Sequence, residues 1–242
     1  MAKKITPYHD SKLTKKQQVS DMFDEISGGY DNLNRVISLG MDQSWRRKVI
    51  ARIISTQPDK VLDVATGTGD LAISLAEHGL TNIIGVDLSQ GMLSIAEKKI
   101  KEKKLEDKIA VQVGDSEDLP FEDSSFDAIC VAFGVRNFEN LKKGLAEIYR
   151  VLKPGGLFIV LETAVPQKFP LKQGYAIYTK FILPTIGKLF SKDRRAYSYL
   201  SESASHFPCG AAFNKILKEV GFTGVKDKPQ TMGVASIYEG SK

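Results

Sequence analysis

With only two cysteines in 242 residues, Cys130 and Cys209, the chain has no basis for a disulfide framework, and its stability must come from a buried core. Two separate thiols suit a reducing, cytoplasmic setting. No run approaches 18 uncharged apolar residues, which excludes a membrane-spanning helix. Met1-Ala2-Lys3-Lys4 lacks the apolar segment of a secretory signal. There is no internal repeat and no low-complexity segment. Histidine is scarce: His9 falls in a polar tail, His78 precedes Gly79 at a helix end, and His206 stands in Ser205-His206-Phe207-Pro208.

Net charge is +5, and its placement says more than its size. Residues 1–20 carry Lys3, Lys4, Lys12, Lys15 and Lys16 against Asp10, and residues 166–200 carry Lys168, Lys172, Lys180, Lys188, Lys192, Arg194 and Arg195 against Asp193. The remainder is therefore acidic, which argues against a nucleic-acid groove over the centre of the molecule.

Strand-like and helix-like segments alternate along the chain. Strands are expected near 60–64, 82–86, 109–113, 126–132, 157–161, 223–227 and 232–239, with helices between them. Asp127-Ala128-Ile129-Cys130-Val131-Ala132-Phe133 is nearly continuous apolar sequence, as in a central parallel strand covered on both faces. Lys153-Pro154-Gly155-Gly156 reads as a helix stop and turn before Leu157-Phe158-Ile159-Val160-Leu161. The alternation predicts a single α/β domain, 1–242, with a doubly wound, seven-stranded, mostly parallel sheet. An N-terminal helical cap (1–55) and a helical lid insertion (163–208) would flank it.

The segment Val61-Leu62-Asp63-Val64-Ala65-Thr66-Gly67-Thr68-Gly69-Asp70 joins a β-branched strand to the helix Leu71-Ala72-Ile73-Ser74-Leu75-Ala76 through a glycine pair. Glycine lets the backbone pass close under a ligand, and Asp87, ending the second strand, offers a carboxylate to both hydroxyls of a ribose. This is the pattern of an adenosyl-cofactor site. A dinucleotide-binding dehydrogenase would more often show three glycines and no carboxylate at the helix start, where Asp70 stands.

Asp63-Val64-Ala65-Thr66-Gly67-Thr68-Gly69 resembles the first motif of class I methyltransferases that use S-adenosyl-L-methionine. The resemblance implies cofactor binding by Asp63, Gly67, Thr68, Gly69, Asp87, Asp115 and Ser116. Asp115 and Ser116, after the third strand, would meet the adenine, and Thr68 the methionine half.

Further residues are similar to the quinone C-methyltransferases of menaquinone and ubiquinone biosynthesis, a Rossmann-like class I family. They are Tyr30-Asp31-Asn32-Leu33-Asn34, Phe133-Gly134-Val135-Arg136-Asn137, Arg150 to Gly156, Leu161-Glu162, Tyr199 to Ser203 with Phe207-Pro208, and Gly233 to Lys242. The match runs from about residue 20 to the C-terminus. It departs at Asp42, where many members have histidine, at Thr163-Ala164, where Phe-Ser is common, and at Ala132, which replaces a serine that touches the cofactor in some members. The resemblance implies methylation of a ring carbon of demethylmenaquinol, with a ubiquinone-pathway benzoquinol as the alternative. It also hints at a homodimer or a complex with other pathway enzymes.

The chemistry asks for an electron-rich, reduced ring and a group that accepts a hydroxyl proton or stabilises the phenolate; no metal is needed. Arg136, oriented by Asn137, is the candidate for the oxyanion, since a guanidinium stays protonated. His206 is the candidate base, against the reading that it is a packing or surface histidine. Tyr178, Tyr197 and Tyr199 are candidates for a pocket wall, and Tyr30, after the Gly28-Gly29 hinge, for a cover over the methionine end. In the insertion, Tyr175, Tyr178, Phe181, Ile182, Leu183, Ile186, Leu189 and Phe190 form an apolar face interleaved with lysines. That face would take a prenyl tail while the lysines meet anionic headgroups at a membrane surface, or it would pack as a cap or dimer surface. An O- or N-methyltransferase and a non-catalytic lipid carrier are the competing readings.

Overall fold

The computed structural model describes residues 5–8, 10–166, 169–178 and 194–242. Seven strands, β1 (Val61–Val64), β2 (Ile83–Asp87), β3 (Ile109–Val113), β4 (Phe126–Ala132), β5 (Leu152–Thr163), β6 (Thr223–Gln230) and β7 (Ala235–Ser241), form one sheet. Their order is β3-β2-β1-β4-β5-β7-β6. β1 to β5 are parallel, whereas β7 runs antiparallel to both β5 and β6.

The described helices are α1 (Lys15–Ile26), α2 (Tyr30–Ile37), α3 (Met41–Ile54), α4 (Asp70–Glu77), α5 (Gln90–Glu102), α6 (Leu141–Val151), α7 (Leu171–Ile177), α8 (Arg194–His206) and α9 (Ala211–Val220). Local chemistry starts several of them. Thr14 and Gln17 exchange side-chain and backbone hydrogen bonds in a capping box at α1, and the Ser89 and Asn140 side chains cap α5 and α6.

The alternation of side chains along each strand builds two cores. Leu157, Ile159 and Leu161 of β5 pack with Trp45, Val49 and Ile53 of α3 and Leu71 and Leu75 of α4. Phe158 and Val160 pack on the other face with Leu145 and Ile148 of α6 and Phe213 and Leu217 of α9. A third, smaller cluster joins Val19, Met22 and Ile26 of α1 to Met92 of α5 and to Ala196 and Tyr199 of α8. Thus the expected cap divides: α3 belongs to a helical layer, while α1 packs on α5 and α8.

Several strand boundaries differ from the sequence expectation, and β6 runs on to Gln230. β5 starts at Leu152, which pairs with Phe126; the register then shifts so that Ala128 pairs with Leu157, and Lys153 to Gly156 bulge out within the strand. β7 begins at Ala235 because Thr231–Gly233 coils into a single 3-10 turn. Most of the apolar face expected in the insertion, from Phe181 to Phe190, lies outside the described residues, as do His9 and the Tyr197 side chain.

Chain order reverses between β1 and β4, where a doubly wound sheet opens a crevice at its carboxyl edge. The residues following these strands, Ala65 (φ 55°) and Phe133 (φ 60°), both take left-handed backbone. Such conformations cost about 1–2 kcal/mol per residue and concentrate at functional sites. The two loops nearly touch: a Cβ on Gly134 would sit 2.6 Å from Ala65 Cβ and 2.9 Å from Val131 Cγ1. Only glycine fits there.

Candidate active site

A cleft opens at that edge. Its floor comes from the strand ends: Ala65 and Gly67 after β1, Asp87 to Ser89 after β2, Gly114 to Glu117 after β3, and Ala132 to Gly134 after β4. Asp87 is held by two backbone donors, Gly67 N to Oδ2 at 2.8 Å and Ser89 N to Oδ1 at 2.9 Å. Each carboxylate oxygen keeps a second lone pair for a diol. Burial raises the Asp87 pKa, and the backbone donors oppose that rise.

The roof is α1. Lys15 Nζ donates to the carbonyls of Arg136 and Phe138 at 3.2 and 2.8 Å, and Ser20 Oγ donates to Leu88 O at 3.1 Å. Asp24 Oδ1 accepts from Ser89 Oγ at 2.6 Å and from Gly91 N at 2.7 Å, at the N-terminus of α5. Lys16 is paired with Asp115, and that carboxylate also accepts from Glu117 N at 2.9 Å. Hydrogen bonding to Asp115 raises the Lys16 pKa. One helix thus reaches the loops after β2, β3 and β4.

Below the glycine loop, Lys99 of α5 donates to Asp31 Oδ2 at 2.8 Å, Asp70 Oδ1 at 2.5 Å and Thr68 O at 3.1 Å. Thr68 Oγ1 donates to Asp31 Oδ1 at 2.6 Å. This network fixes α2, which carries Tyr30 into the cleft, against the loop that carries Gly67. The Tyr30 and Phe23 rings meet edge to face, 5.7 Å between centroids.

Beyond the cleft wall, Arg136 Nη1 donates to Glu162 Oε1 at 2.5 Å and to Phe133 O at 3.0 Å. Its side chain is 8% exposed and that of Glu162 is wholly buried. Burial disfavours the Arg136 charge, but the neighbouring carboxylate outweighs it and the pKa is raised. Tyr199 OH donates to Asn137 Oδ1 at 3.1 Å. Burial pushes the Tyr30, Tyr175 and Tyr199 phenols up.

Of the residues expected at the cofactor, Gly67, Asp87, Asp115 and Ser116 line the cleft; Asp63, Thr68 and Gly69 do not. Asp63 is buried beneath the loop, accepting from Thr66 Oγ1 at 2.7 Å, and burial pushes its pKa up to about 6. Thr68 turns its hydroxyl to Asp31 rather than to the methionine half. Gly69 (φ 79°) caps α4, where a Cβ would lie 3.1 Å from Ala96 Cβ. Asn137 does not bond Arg136; both donate to Phe133 O. His206 is exposed at the end of α8, its Nδ1 engaged by Glu202 O at 2.8 Å and Ser205 Oγ at 3.1 Å, and it does not line the cleft. Tyr178 OH donates to Ile37 O at 2.6 Å. Asp42, where the resemblance led to histidine, accepts from Ser38 Oγ at 2.6 Å. The sequence did not reveal Lys16 or Lys99, whose charges are indistinguishable there from solvated ones.

The residues fit an adenosyl cofactor: a glycine loop with open space above Gly67, a half-buried diol acceptor at Asp87, and Asp115 in a lining shared with apolar Val19, Phe23, Leu88 and Met92. The fold and this cleft define a class I methyltransferase dependent on S-adenosyl-L-methionine. A possible histamine N-methyltransferase from Thermotoga maritima superposes with a TM-score of 0.61 at 18% identity, covering 92% of this chain and 99% of its own. Phosphoethanolamine N-methyltransferase 2 of Haemonchus contortus, solved with S-adenosylhomocysteine, gives 0.67 at 18%, covering 96% of this chain and 61% of its own. These likenesses establish the fold. Residues 11–242 match the ubiE/COQ5 methyltransferase family, to which the chain belongs. Proteins named demethylmenaquinone methyltransferase are 48% identical in Bacteroides fragilis and 45% identical in Porphyromonas gingivalis, each over 99% of this chain and 98% of the relative. A ubiquinone/menaquinone biosynthesis C-methyltransferase of Geotalea daltonii is 42% identical over 96% of this chain and 99% of its own.

Proposed function

We propose that this enzyme methylates a ring carbon of demethylmenaquinol to give menaquinol. The observation that carries the reading is a roofed cofactor cleft with a buried guanidinium, Arg136, beside it at the carboxyl end of β4. The names of relatives 45–48% identical supply the acceptor. The cofactor, when bound, supplies an electrophilic methyl whose bond to sulfur breaks with the electron pair staying on sulfur.

The protein's part is alignment, exclusion of water and charge stabilisation. Asp87 and Asp115 would hold the cofactor's ribose and adenine, and Gly67, with no side chain, would leave room for it beside the backbone. The α1 roof keeps bulk water out. The ring hydroxyl would release its proton to solvent as the acceptor binds, Arg136 would stabilise the oxyanion while the ortho carbon bonds the methyl, and the ring C–H proton would then return to that oxygen, restoring the hydroxyl and aromaticity with one proton released overall. A guanidinium at this pKa does not act as the base, and His206, exposed and outside the cleft lining, is not placed to be one. Tyr175 and Tyr178 of the insertion would meet the prenyl tail. Its basic residues would hold the enzyme peripherally at the inner face of an anionic membrane. No described helix is long and apolar enough to cross one.

The test is transfer of a labelled methyl to chemically reduced, short-chain demethylmenaquinone and to a benzoquinol acceptor, with the methyl located by mass spectrometry. Label on a naphthoquinol carbon is expected. Label on a benzoquinol carbon alone moves the enzyme to the ubiquinone pathway, and label on oxygen or nitrogen refutes C-methylation.

A further inference from the structure

We infer that Glu162 and Tyr199 are positioning residues for the acceptor's oxygen, holding Arg136 and Asn137 so that the buried guanidinium Nε keeps its hydrogen for an oxyanion. The inference rests on the role given to Arg136 above and adds the residues that create it.

Glu162 lies at the carboxyl end of β5, wholly buried, where an unpaired carboxylate would not be tolerated. Its Oε1 accepts from Arg136 Nη1, from its neighbour Thr163 N at 2.7 Å and from Thr163 Oγ1 at 3.1 Å. Its Oε2 accepts from the Arg136 backbone N at 3.4 Å. With Phe133 O also bonded, both hydrogens of Nη1 are used. The opposite edge is different: Nε is buried and has no hydrogen-bond partner among the described residues. A buried charged donor without an acceptor calls for one from outside the chain. The Nε–Nη2 edge of a guanidinium presents parallel N–H groups suited to an anionic oxygen.

Asn137 is fixed in the same way. Tyr199 occupies its Oδ1, and its Nδ2 points to Phe133 O at 3.5 Å. Phe133 N in turn donates to Leu161 O at 2.7 Å, so the turn after β4 is referenced to the end of β5. The charged and titratable groups around the guanidinium are Glu162 from β5, Tyr30 from α2, Tyr175 from α7 and Tyr199 from α8, with Lys15 of α1 on the Arg136 carbonyl. Among the described residues, only Glu162 offsets the cation, so the acceptor would enter as the uncharged phenol.

That balance gives a test with a direction. Glu162→Gln keeps an acceptor for Nη1 but leaves the cation uncompensated. The rising limb of the pH profile of kcat, which reports the bound acceptor, should therefore move to lower pH, by on the order of one pH unit for a charge several ångströms away, while the plateau of kcat falls. Cofactor affinity, read by calorimetry, should stay within about twofold, because Asp87 and Asp115 are untouched. Tyr199→Phe keeps the ring and frees Asn137; kcat should fall about tenfold with the pH limb unmoved, and it carries the test if Glu162→Gln does not fold. A folded Glu162→Gln enzyme whose limb does not move, or a Tyr199→Phe enzyme with wild-type kcat, overturns the inference. Failure of the wild-type enzyme to methylate any quinol would instead overturn the substrate reading.

Discussion

Asp63 should weaken the folded enzyme at neutral pH, and Asp63→Asn should relieve that weakness. The carboxylate is 1% exposed beneath the glycine loop, and burial raises its pKa from the ordinary 3.8 to about 6. Because the folded pKa lies above the unfolded one, the folded state binds the proton more tightly. Stability from this group is complete below pH 3.8 and is lost as pH rises through 6. A rise of that size corresponds to about 3 kcal/mol at pH 8. Asparagine still accepts from Thr66 Oγ1, but its amide hydrogens face only the weak Cys130 sulfur, 3.5 Å from the present carboxylate, which offsets about 1 kcal/mol. The net gain at pH 8 is about 2 kcal/mol, or about 4–8 °C in Tm for a domain of this size. By about pH 4.5 it should fall to near zero. Urea unfolding of both proteins at the two pH values, without cofactor, measures this difference directly. An Asp63→Asn protein less stable than wild type at pH 8, or a gap independent of pH, would refute the reasoning.

Two further outcomes concern the same edge of the sheet. Gly134→Ala places a Cβ 2.6 Å from Ala65 Cβ, so it should destabilise by about 1–3 kcal/mol in thermal unfolding and weaken cofactor binding by displacing the glycine loop. Lys99→Met removes the ammonium shared by Asp31, Asp70 and Thr68; cofactor affinity measured by calorimetry should fall roughly tenfold, the magnitude of a charge-assisted hydrogen bond or two, with Lys99→Arg recovering part of it.

The architecture was legible because strands buried on both faces leave long apolar runs: Ala128 to Val131 and Leu157 to Leu161 alternate between the two cores without a polar interruption. Polar bulges leave no such trace, so Lys153 to Gly156 read as a turn preceding the strand rather than an excursion within it. The cleft floor was legible because three of the residues expected at the cofactor, Gly67, Asp87 and Asp115, stand at strand ends, and the structure places them in the cleft lining. Thr68 looked equivalent, but its direction is set by Asp31, distant in sequence. The roof was only half visible. Tyr30 pointed to the cleft, yet nothing in the sequence distinguished Lys16, against Asp115, from any other lysine of the tail. His206 was a candidate on residue type alone, which says nothing about where a side chain points; it stands exposed at the end of α8.

The place of β7 has a consequence for how the sheet is closed. β6 precedes it in the chain but joins the sheet only through it. β6 therefore has no partner in the sheet unless Ala235–Ser241 lies between it and β5, so β3 to β5 pair among themselves without the C-terminal strands, whereas the outer edge closes as one antiparallel unit of β7 with β6.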